Sequence, residues 1–342
     1  MGQTLTTKKV AIIGIGGIGA LHAGILASLR NCSLVAAADQ ESRLVRAATK
    51  AVPTVCFHTD VGEMLADHHP DVVYICTPPA SHLQIAREVL ESPQRPSALF
   101  VEKPLATNTH EAEQLATLAR EHNTTTMVGY QRRFLPTVRK ARQLIDRGEI
   151  GTVLLARCHH FAEGVYEQGE GWRFDDESGG ATLELGVHLL DTMVFLFGEP
   201  EVTFTRSRRI VSTSCEDYTH AWLKFDRCSA ALFEVGWSMW GFNPGDFRVE
   251  VYGSKGGVIL TQDEVILFTR RGKNNPRPAT QTFTSFQLTP RLPILMGGVE
   301  NVLIDIEFVD CVTSGRTPEV TFDDGVRINR VLDAIRRLAG RD

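Results

Sequence analysis

Long apolar runs and CxxC cysteine pairs are missing from this sequence of 342 residues. No apolar stretch reaches the roughly 18 residues that a membrane-spanning helix needs, and the start of the chain, MGQTLTTKKV, has no apolar signal-peptide core. The seven cysteines are scattered, without a CxxC pair or a zinc-binding spacing. We therefore expect a cytoplasmic protein with no membrane partner and no metal site.

The charge of the chain argues against a nucleic-acid partner. The net charge is −5, and the one basic run of note is the polar stretch at residues 270–281. A solvated hairpin loop explains this stretch better than a nucleic-acid contact, because the chain as a whole would repel a polyanion. The 43% apolar content is typical of a folded protein, and the length favours two domains.

Apolar runs and helical patterns alternate through the first half of the chain. Asn108 is the expected N-cap of one helix, with Glu111 three residues later in a capping-box arrangement. Strands that alternate with helices predict right-handed βαβ units and a doubly wound parallel sheet. The expected strands are 9–14, 34–38, 72–76, 98–101 and 125–128, and the expected helices are 18–29, 61–66, 82–90 and 109–121.

After about residue 130 the expected strands become longer and follow one another more closely. Several of them alternate apolar and polar residues, as an antiparallel sheet with one exposed face requires. We predict an α/β protein whose first domain, 1–130, precedes an α+β substrate domain, 131–342, with one large open, mostly antiparallel sheet. Its expected strands are 152–160, 201–211, 218–225, 230–237, 247–252, 257–260 and 264–269, and its expected helices are 135–147, 180–196, 300–314 and 324–338.

A glycine-rich turn joins the first expected strand to the first expected helix. Gly14, Gly16 and Gly19 form a GxGxxG pattern that also includes Gly17 and Ile18. The first glycine permits a tight turn, the second lets the backbone approach a pyrophosphate, and the third lets helix and strand pack closely. The helix N-terminus then attracts the phosphates. This context predicts that residues 1–130 form a Rossmann domain that binds a dinucleotide.

The end of the second expected strand indicates which dinucleotide binds. Asp39 lies about 20 residues after the last glycine, where a carboxylate would grip the adenosine ribose diol. A 2′-phosphate about 4 Å away would be repelled by about 4 kcal/mol per unit charge at an effective dielectric constant of ~20. NAD is therefore favoured. Gln40 and Arg43 belong to the same expected site, and Arg43 keeps NADP open because it could turn toward a 2′-phosphate.

Three further blocks follow the glycine turn in order. They are CTPPASH at 76–82, EKPLA at 102–106 and GGATLELGVHLLD at 179–191. With the glycine pattern they resemble the glucose–fructose oxidoreductase, inositol dehydrogenase and rhizopine catabolism (Gfo/Idh/MocA) family over nearly the whole chain. The resemblance implies a Rossmann domain and an α/β domain whose open sheet often mediates dimers or tetramers. It also implies hydride transfer between NAD(P) and a secondary alcohol of a sugar, an inositol or a sugar derivative.

The resemblance further implies where the site residues lie. Lys103 and His188 would sit beside the nicotinamide ring. Many inositol-dehydrogenase-like relatives have aspartate where this chain has Glu184, and this departure concerns substrate identity more than reaction class. On a helix Glu184 and His188 share a face, so the carboxylate can reach the substrate or the imidazole. Cofactor contacts are implied at Thr77, Pro78, Pro79, His82, Glu102, Lys103, Gln131, Trp172 and Arg173.

Oxidation of a secondary alcohol requires departure of a hydride and removal of the hydroxyl proton. We expect His188 to be the base, because histidine titrates closest to neutral pH. Lys103 would polarise the hydroxyl and relay the proton, and Glu184 would orient these groups. Substrate contacts are also expected from Arg132 and from His160, since two adjacent histidines on a strand point to opposite faces.

Several alternatives remain open from the sequence alone. A redox-neutral NAD-dependent glycosidase or lyase would use the cofactor transiently, and a non-catalytic regulator would only bind it. A sugar-nucleotide substrate would need positive charge, for which Arg132, Arg133 and Arg157 are candidates. Asp191 would either pair with a neighbour or contact substrate. An aromatic cluster of Trp237, Trp240 and Phe242 suits core or interface packing, or a platform for a sugar ring.

Overall fold

The computed structural model describes residues 7–162, 171–175, 179–239, 241, 246–270 and 279–339. It divides into two compact units. The first contains Met1–Tyr130 and Arg291–Asn329, and the second contains Gln131–Pro290 and Arg330–Asp342. The domain bounds 1–130 and 131–342 stay a prediction; in the structure the segment 291–329 groups with the first unit. Trp240, Phe242 and most of the polar stretch 270–281 lie outside the described residues.

The first unit contains a six-stranded parallel sheet. Its strands are β1 (Lys8–Ile13), β2 (Cys32–Ala38), β3 (Cys56–His58), β4 (Val72–Ile75), β5 (Ala98–Val101) and β6 (Thr125–Val128). They are ordered β3-β2-β1-β4-β5-β6, and every neighbouring pair is parallel. The strands β4 and β5 are fully buried along their length, as parallel strands covered on both faces must be. The predicted doubly wound sheet is confirmed.

Helices connect these strands. They are α1 (Gly17–Ser28), α2 (Ser42–Ala51), α3 (Val61–His68), α4 (His82–Glu91) and α5 (Thr109–Glu121). Asn108 caps α5 as predicted, accepting a hydrogen bond from the Glu111 N–H at 3.0 Å. The Glu111 carboxylate, however, reaches back to the Thr107 hydroxyl at 2.6 Å. The Glu111 side chain thus reaches Thr107, one residue before the N-cap, whereas in a capping box it would reach the N-cap residue itself.

The second unit is built on an eight-stranded sheet. Its strands are β7 (Val153–Phe161), β8 (Pro200–Arg208), β9 (Tyr218–Phe225), β10 (Cys228–Gly236), β11 (Asp246–Gly253), β12 (Gly256–Thr261), β13 (Glu264–Thr269) and β14 (Ala279–Thr284). The order is β14-β13-β12-β11-β7-β10-β9-β8, and the pair β7–β10 is parallel while the other pairs are antiparallel. The prediction of a large, mostly antiparallel sheet is confirmed.

The helices of this unit are α6 (Pro136–Asp146), α7 (Val187–Phe197) and the short α8 (Ser285–Leu288). Helices α6 and α7 contact each other, and both contact strands of the sheet. A π-helical turn, Thr182–Gly186, leads directly into α7. The sequence predicted one continuous helix over 180–196, and the structure replaces its first turn with this wider one. Such turns are often found at functional sites.

The chain ends with two helices, α9 (Val299–Ser314) and α10 (Phe322–Leu338). Helix α9 contacts α1 within the first unit. At the start of α10, the Phe322 N–H donates to the Thr126 hydroxyl at 3.3 Å, and the Asn329 amide donates to the Ala106 carbonyl at 2.8 Å. Within the described part of the chain, no helix combines the length and the apolarity needed to cross a bilayer.

Candidate active site

The glycine-rich turn follows β1 and opens α1. Gly14 has φ of 89° and donates to the Ala38 carbonyl at 2.8 Å, a conformation that favours glycine. A Cβ on Gly19 would lie 1.9 Å from the Gly14 carbonyl oxygen, whereas a Cβ on Gly16 or Gly17 would meet nothing within 4 Å. The first turn of α1 has no acidic residue. Open backbone at a helix N-terminus fits the pyrophosphate of a dinucleotide.

Asp39 lies at the end of β2, next to this turn. Its carboxylate accepts hydrogen bonds from the Ile15 N–H and the Glu41 N–H, both at 2.9 Å. Each oxygen has room for a second hydrogen bond, so the group fits a ribose diol. Gln40 and Arg43 are exposed beside it. The structure thus places the predicted carboxylate at the glycine turn and fixes it to that turn.

The segment after β4 carries Thr77, Pro78 and Pro79. His82 follows three residues later as the first residue of α4, and its side chain is fully buried. Its Nε2 lies 2.9 Å from the Thr77 carbonyl and its Nδ1 lies 3.1 Å from the Pro104 carbonyl. Burial lowers the pKa of His82, while its hydrogen bonds to the Thr77 and Leu105 carbonyls oppose that shift. His82 therefore joins the loop after β4 to the loop after β5, and it touches the protein rather than solvent.

Glu102 and Lys103 directly follow β5. The Glu102 N–H donates to the Ile75 carbonyl at 2.9 Å, so the main chain stays tied to the sheet beyond the end of the strand. The Glu102 carboxylate accepts from the Lys103 N–H at 3.1 Å, and its other oxygen lies 3.1 Å from Nε2 of His22. Lys103 is half-buried. Parallel sheets bind ligands at the carboxyl ends of their strands, and Lys103 stands at such an end.

In the second unit, polar groups gather around the start of α7. His188 is buried there, and its ring lies 6.4 Å from that of His160. His160 packs edge-on against Phe247 at 5.5 Å, and the Arg132 guanidinium lies over the same phenyl ring at 5.2 Å. His159 instead contacts Asp246 at 3.2 Å and is not buried. Three predicted substrate residues, His188, His160 and Arg132, therefore lie in one cluster.

Glu184 lies in the π-helical turn just before this cluster. Its carboxylate pairs with the Arg173 guanidinium at 3.4 Å. Arg173 in turn lies 5.4 Å from the ring of Trp172. Glu184 is mostly shielded while Arg173 is exposed. The segment implied to reach the cofactor, Trp172–Arg173, thus meets the carboxylate implied to orient substrate.

Two family patterns match this chain. Residues 8–130 match the oxidoreductase family with an NAD-binding Rossmann fold, and residues 138–259 match the GFO/IDH/MocA C-terminal domain. The two matches follow each other in the order of the two units and together span more than two thirds of the sequence. The chain belongs to the GFO/IDH/MocA oxidoreductase family.

Relatives of this GFO/IDH/MocA member carry sugar-related names. The scyllo-inositol 2-dehydrogenase (NAD(+)) of Bacillus subtilis is 25% identical over 92% of this chain and 88% of its own. The inositol 2-dehydrogenase of Rhizobium meliloti is 26% identical over 97% and 96%. A solved levoglucosan dehydrogenase, in complex with NADH and L-sorbose, superposes with a TM-score of 0.86 at 21% identity, covering 98% of this chain and 97% of its own. That likeness shows the fold.

Sequence reasoning missed a carboxylate that supports the π-helical turn of this family member. The Glu216 side chain accepts from the Thr182 N–H at 2.8 Å, and the Glu216 carbonyl accepts from the Ala181 N–H at 3.0 Å. A Cβ on Gly180 would lie 1.7 Å from the carboxylate. Loss of hydration raises the pKa of Glu216 to about 7, although hydrogen bonds from Thr182 and the charge of Arg336 oppose the rise. Glu216 holds the start of the segment that carries Glu184 and His188.

Asp191, on α7, pairs with Arg133. The Arg133 Nε donates to both carboxylate oxygens, at 2.8 and 3.0 Å, and Asp191 is fully buried. Of the two roles considered for Asp191, pairing with a neighbour is the one that the structure shows. Arg133 is engaged in this pair, and Arg157 lies on an exposed part of β7 while His160 of the same strand is buried. Arg132 is the arginine of the three that joins the cluster at His188.

Two further groups have structural explanations in this family member. Trp237 is buried against Ala181 and Cys215, so it is a core residue. Among the described residues, one group could hold a metal ion by proximity: His58, Asp67 and His68. The two imidazole Nε2 atoms are 2.9 Å apart, a distance at which one ring donates an N–H to the other. Burial and then the neighbouring His58 ring lower the pKa of His68.

Proposed function

We propose that this chain transfers a hydride between NAD and a secondary alcohol of a sugar, an inositol or a related polyol. The observation that carries the proposal is the cluster at the start of α7, in which the buried His188 and His160 lie close to Arg132. Imidazole and guanidinium groups are suited to hydroxyl-rich ligands, because an imidazole can both donate and accept hydrogen bonds and a guanidinium donates them in fixed directions. The chain has the NAD-binding domain that such a reaction needs.

His188 takes the hydroxyl proton in this proposal. An imidazole is the side chain whose ordinary pKa is nearest neutral pH, and a base works best near the operating pH. Lys103 donates a hydrogen bond to the hydroxyl oxygen and stabilises the negative charge that develops as the proton leaves. Glu184 orients these groups and is itself held by Arg173. The bound nicotinamide supplies the hydride acceptor.

NAD is the proposed cofactor, in preference to NADP. The carboxylate of Asp39 is held by two backbone N–H groups, so it cannot swing away from a 2′-phosphate without losing both hydrogen bonds. Arg43 is exposed, and its own N–H is tied to the Glu41 side chain at 3.2 Å. Its flexible guanidinium would pay an entropic cost to neutralise a phosphate. The fixed carboxylate should therefore decide the preference.

We also propose that the eight-stranded sheet mediates a homodimer or homotetramer. Large apolar side chains are exposed on its strands: Leu154, Phe204, Trp222 and Tyr252. Phe204 and Trp222 are register partners on β8 and β9 and so point to the same face. Exposed apolar patches of this kind mark interaction surfaces. Light scattering of the Trp222→Arg variant, compared with the unchanged protein, tests this assignment, and an unchanged mass would contradict it.

The experiment that tests the activity is absorbance of reduced nicotinamide with NAD or NADP and a panel of polyols and sugars. Growth of the signal with NAD, slowed about a thousandfold in Lys103→Met and in His188→Asn, is the expected result. Faster growth with NADP would overturn the assignment of Asp39. Release of an aglycone from a glycoside in the panel, without net reduction of NAD, would indicate a redox-neutral enzyme instead. Failure to bind either dinucleotide would refute the proposal altogether.

A further inference from the structure

Three ionisable side chains meet in the interior of the first unit. They are His22 on α1, Asp305 on α9 and Glu102 after β5, and they are 1%, 0% and 6% exposed. The Nδ1 atom of His22 lies 2.8 and 2.9 Å from the two oxygens of Asp305. The Nε2 atom lies 3.1 Å from the Glu102 carboxylate. The imidazole is thus clamped between two buried carboxyl groups that belong to distant parts of the chain.

The geometry specifies the charge of this histidine. Both ring nitrogens face carboxylate oxygens, and a neutral ring would turn one lone pair toward an acceptor. Burial alone lowers the pKa of His22, but the charge and hydrogen bond of Asp305, followed by those of Glu102, raise it to about 10. His22 is therefore a buried cation at neutral pH. Burial raises the pKa of Asp305, while the charge of His22 and the Tyr74 hydroxyl oppose that rise.

The other groups around the cluster are neutral at this pH. Tyr74 on β4 and Phe100 on β5 place their rings 5.4 and 5.2 Å from the imidazole. Burial raises the pKa of the Cys32 thiol to about 12, and it raises the pKa of the Cys76 thiol and of the Tyr74 phenol as well. The one cation among these groups is then His22, so the orientation of Glu102 depends on it.

Glu102 transmits this orientation to Lys103. One carboxylate oxygen faces His22 and the other accepts from the Lys103 N–H at 3.1 Å. The carboxylate also fills the space that a side chain at Gly129 would need, since a Cβ there would lie 2.5 Å from it. Rotation of the carboxylate away from His22 would therefore release the Lys103 N–H. Misplacement of a reacting group by about 1 Å can lower turnover about a hundredfold.

We propose that His22 is a positioning residue: anchored by Asp305, it fixes Glu102 and through Glu102 the main chain of Lys103. The inference rests on the proposed function, because it takes Lys103 as the group that acts on the hydroxyl. His22 itself touches no reacting atom. The segment 291–329 contributes Asp305 and thereby takes part in holding Lys103.

The charge of His22 is tested first, by nitrogen NMR of the full chain labelled at histidine. We expect both ring nitrogens of His22 to stay protonated from about pH 6 to about pH 9. Asp305→Asn keeps the shape but removes the anchoring charge, and it should lower the pKa of His22. A His22 ring that is neutral at pH 7 would overturn the proposal whether or not the chain turns over any alcohol.

The positioning role is tested by kinetics in two backgrounds. His22→Gln should lower kcat about tenfold or more in the unchanged protein and less than about twofold in Lys103→Met, because residues that act through one another are not additive. A merely structural role would lower kcat equally in both. The matched control is His68→Gln, a half-buried histidine of the same unit, which should leave kcat unchanged. If His22→Gln does not fold, Asp305→Asn replaces it in both backgrounds.

The two proposals fail in different ways. An equal loss of kcat in both backgrounds refutes positioning and leaves the dehydrogenase intact. Absence of turnover in the unchanged protein refutes the proposed function and the positioning role with it. A cationic His22 together with a loss of kcat that depends on Lys103 supports both.

Discussion

The two units support their central residues with different chemistry. In the first, Lys103 follows a buried strand and depends on a buried cation, His22, whose pKa is raised to about 10. In the second, His188 lies on a helix whose preceding turn is held by Glu216, a carboxyl group with its pKa raised to about 7. The first support keeps its charge throughout the physiological range, whereas the second changes charge within it. The comparison predicts that, as the pH rises through neutrality, the support in the second unit changes its charge before the support in the first unit does.

The largest expected effect on turnover comes from replacing the two supported side chains, His188 and Lys103. His188→Asn should lower kcat about a thousandfold, because it removes a general base while keeping a polar side chain. Lys103→Met should have an effect of similar size. Turnover with a polyol and NAD measures both, and tight NADH binding by each variant shows that the cofactor site is intact. If His188→Asn retains full turnover while Lys103→Met has none, the proton-accepting role belongs to Lys103.

The next effect concerns the ion pair that ties α7 to residues 131–134. Arg133→Met removes the Arg133 partner from the buried Asp191 carboxylate, so we expect the free energy of unfolding to fall by about 3 kcal/mol or more. Urea unfolding measures this loss. Arg120→Met is the matched control, because Arg120 and Asp323 form an ion pair in which both side chains are more than half exposed. The free energy of unfolding of this variant should fall by less than about 1 kcal/mol. Equal losses would show that burial does not distinguish the two pairs.

A smaller effect is expected in the cofactor preference of the first unit. Asp39→Ser removes the charge that opposes a 2′-phosphate, so the ratio of kcat/KM for NADP to that for NAD should rise about a hundredfold. The reduced-nicotinamide assay with both cofactors measures the ratio. Gln40→Ser is the neighbouring control and should leave the ratio nearly constant. A ratio that does not change in Asp39→Ser would remove this carboxylate from cofactor selection.

Local patterns explain which parts of the fold could be predicted. The strands β4 and β5 are continuously apolar, and the GxGxxG turn is defined within six residues, so both can be recognised in a short window of sequence. Helix α2 and strand β14 were not predicted. Neither contains a buried residue, so neither has the continuous apolar run that marks a core element. The π-helical turn was read as part of a helix, because apolar spacing does not distinguish it from one.

The supports of the site were harder to predict than its central residues. Lys103 and His188 stand within motifs, and the motifs identified them. Asp305 is one of four acidic residues of α9, and it lies 283 positions from His22, the single ionisable residue in the apolar helix α1. That mismatch was the one available signal, since a charge on a buried face needs a partner. The pairing of Asp305 with His22 can be seen only in the folded chain, where α9 packs against α1.

The smallest and most specific effect is a change in how stability depends on pH. Because the pKa of Glu216 is about 7 in the folded chain, above its ordinary 4.5, the folded state favours the protonated carboxyl. The contribution of this group to stability is thus fully present below about pH 4.5 and is lost as the pH rises through about 7. Glu216→Gln cannot ionise but still accepts from the Thr182 N–H.

We therefore expect the Glu216→Gln variant to lose less stability between about pH 5 and about pH 8 than the unchanged protein. Thermal unfolding at both values measures this difference. Glu201→Gln serves as the control, because Glu201 is exposed and paired with Lys224 at 3.7 Å, and its pH dependence should match that of the unchanged protein. If Glu216→Gln shows that same dependence, the carboxyl group is already ionised at low pH and the second support is no more sensitive to pH than the first.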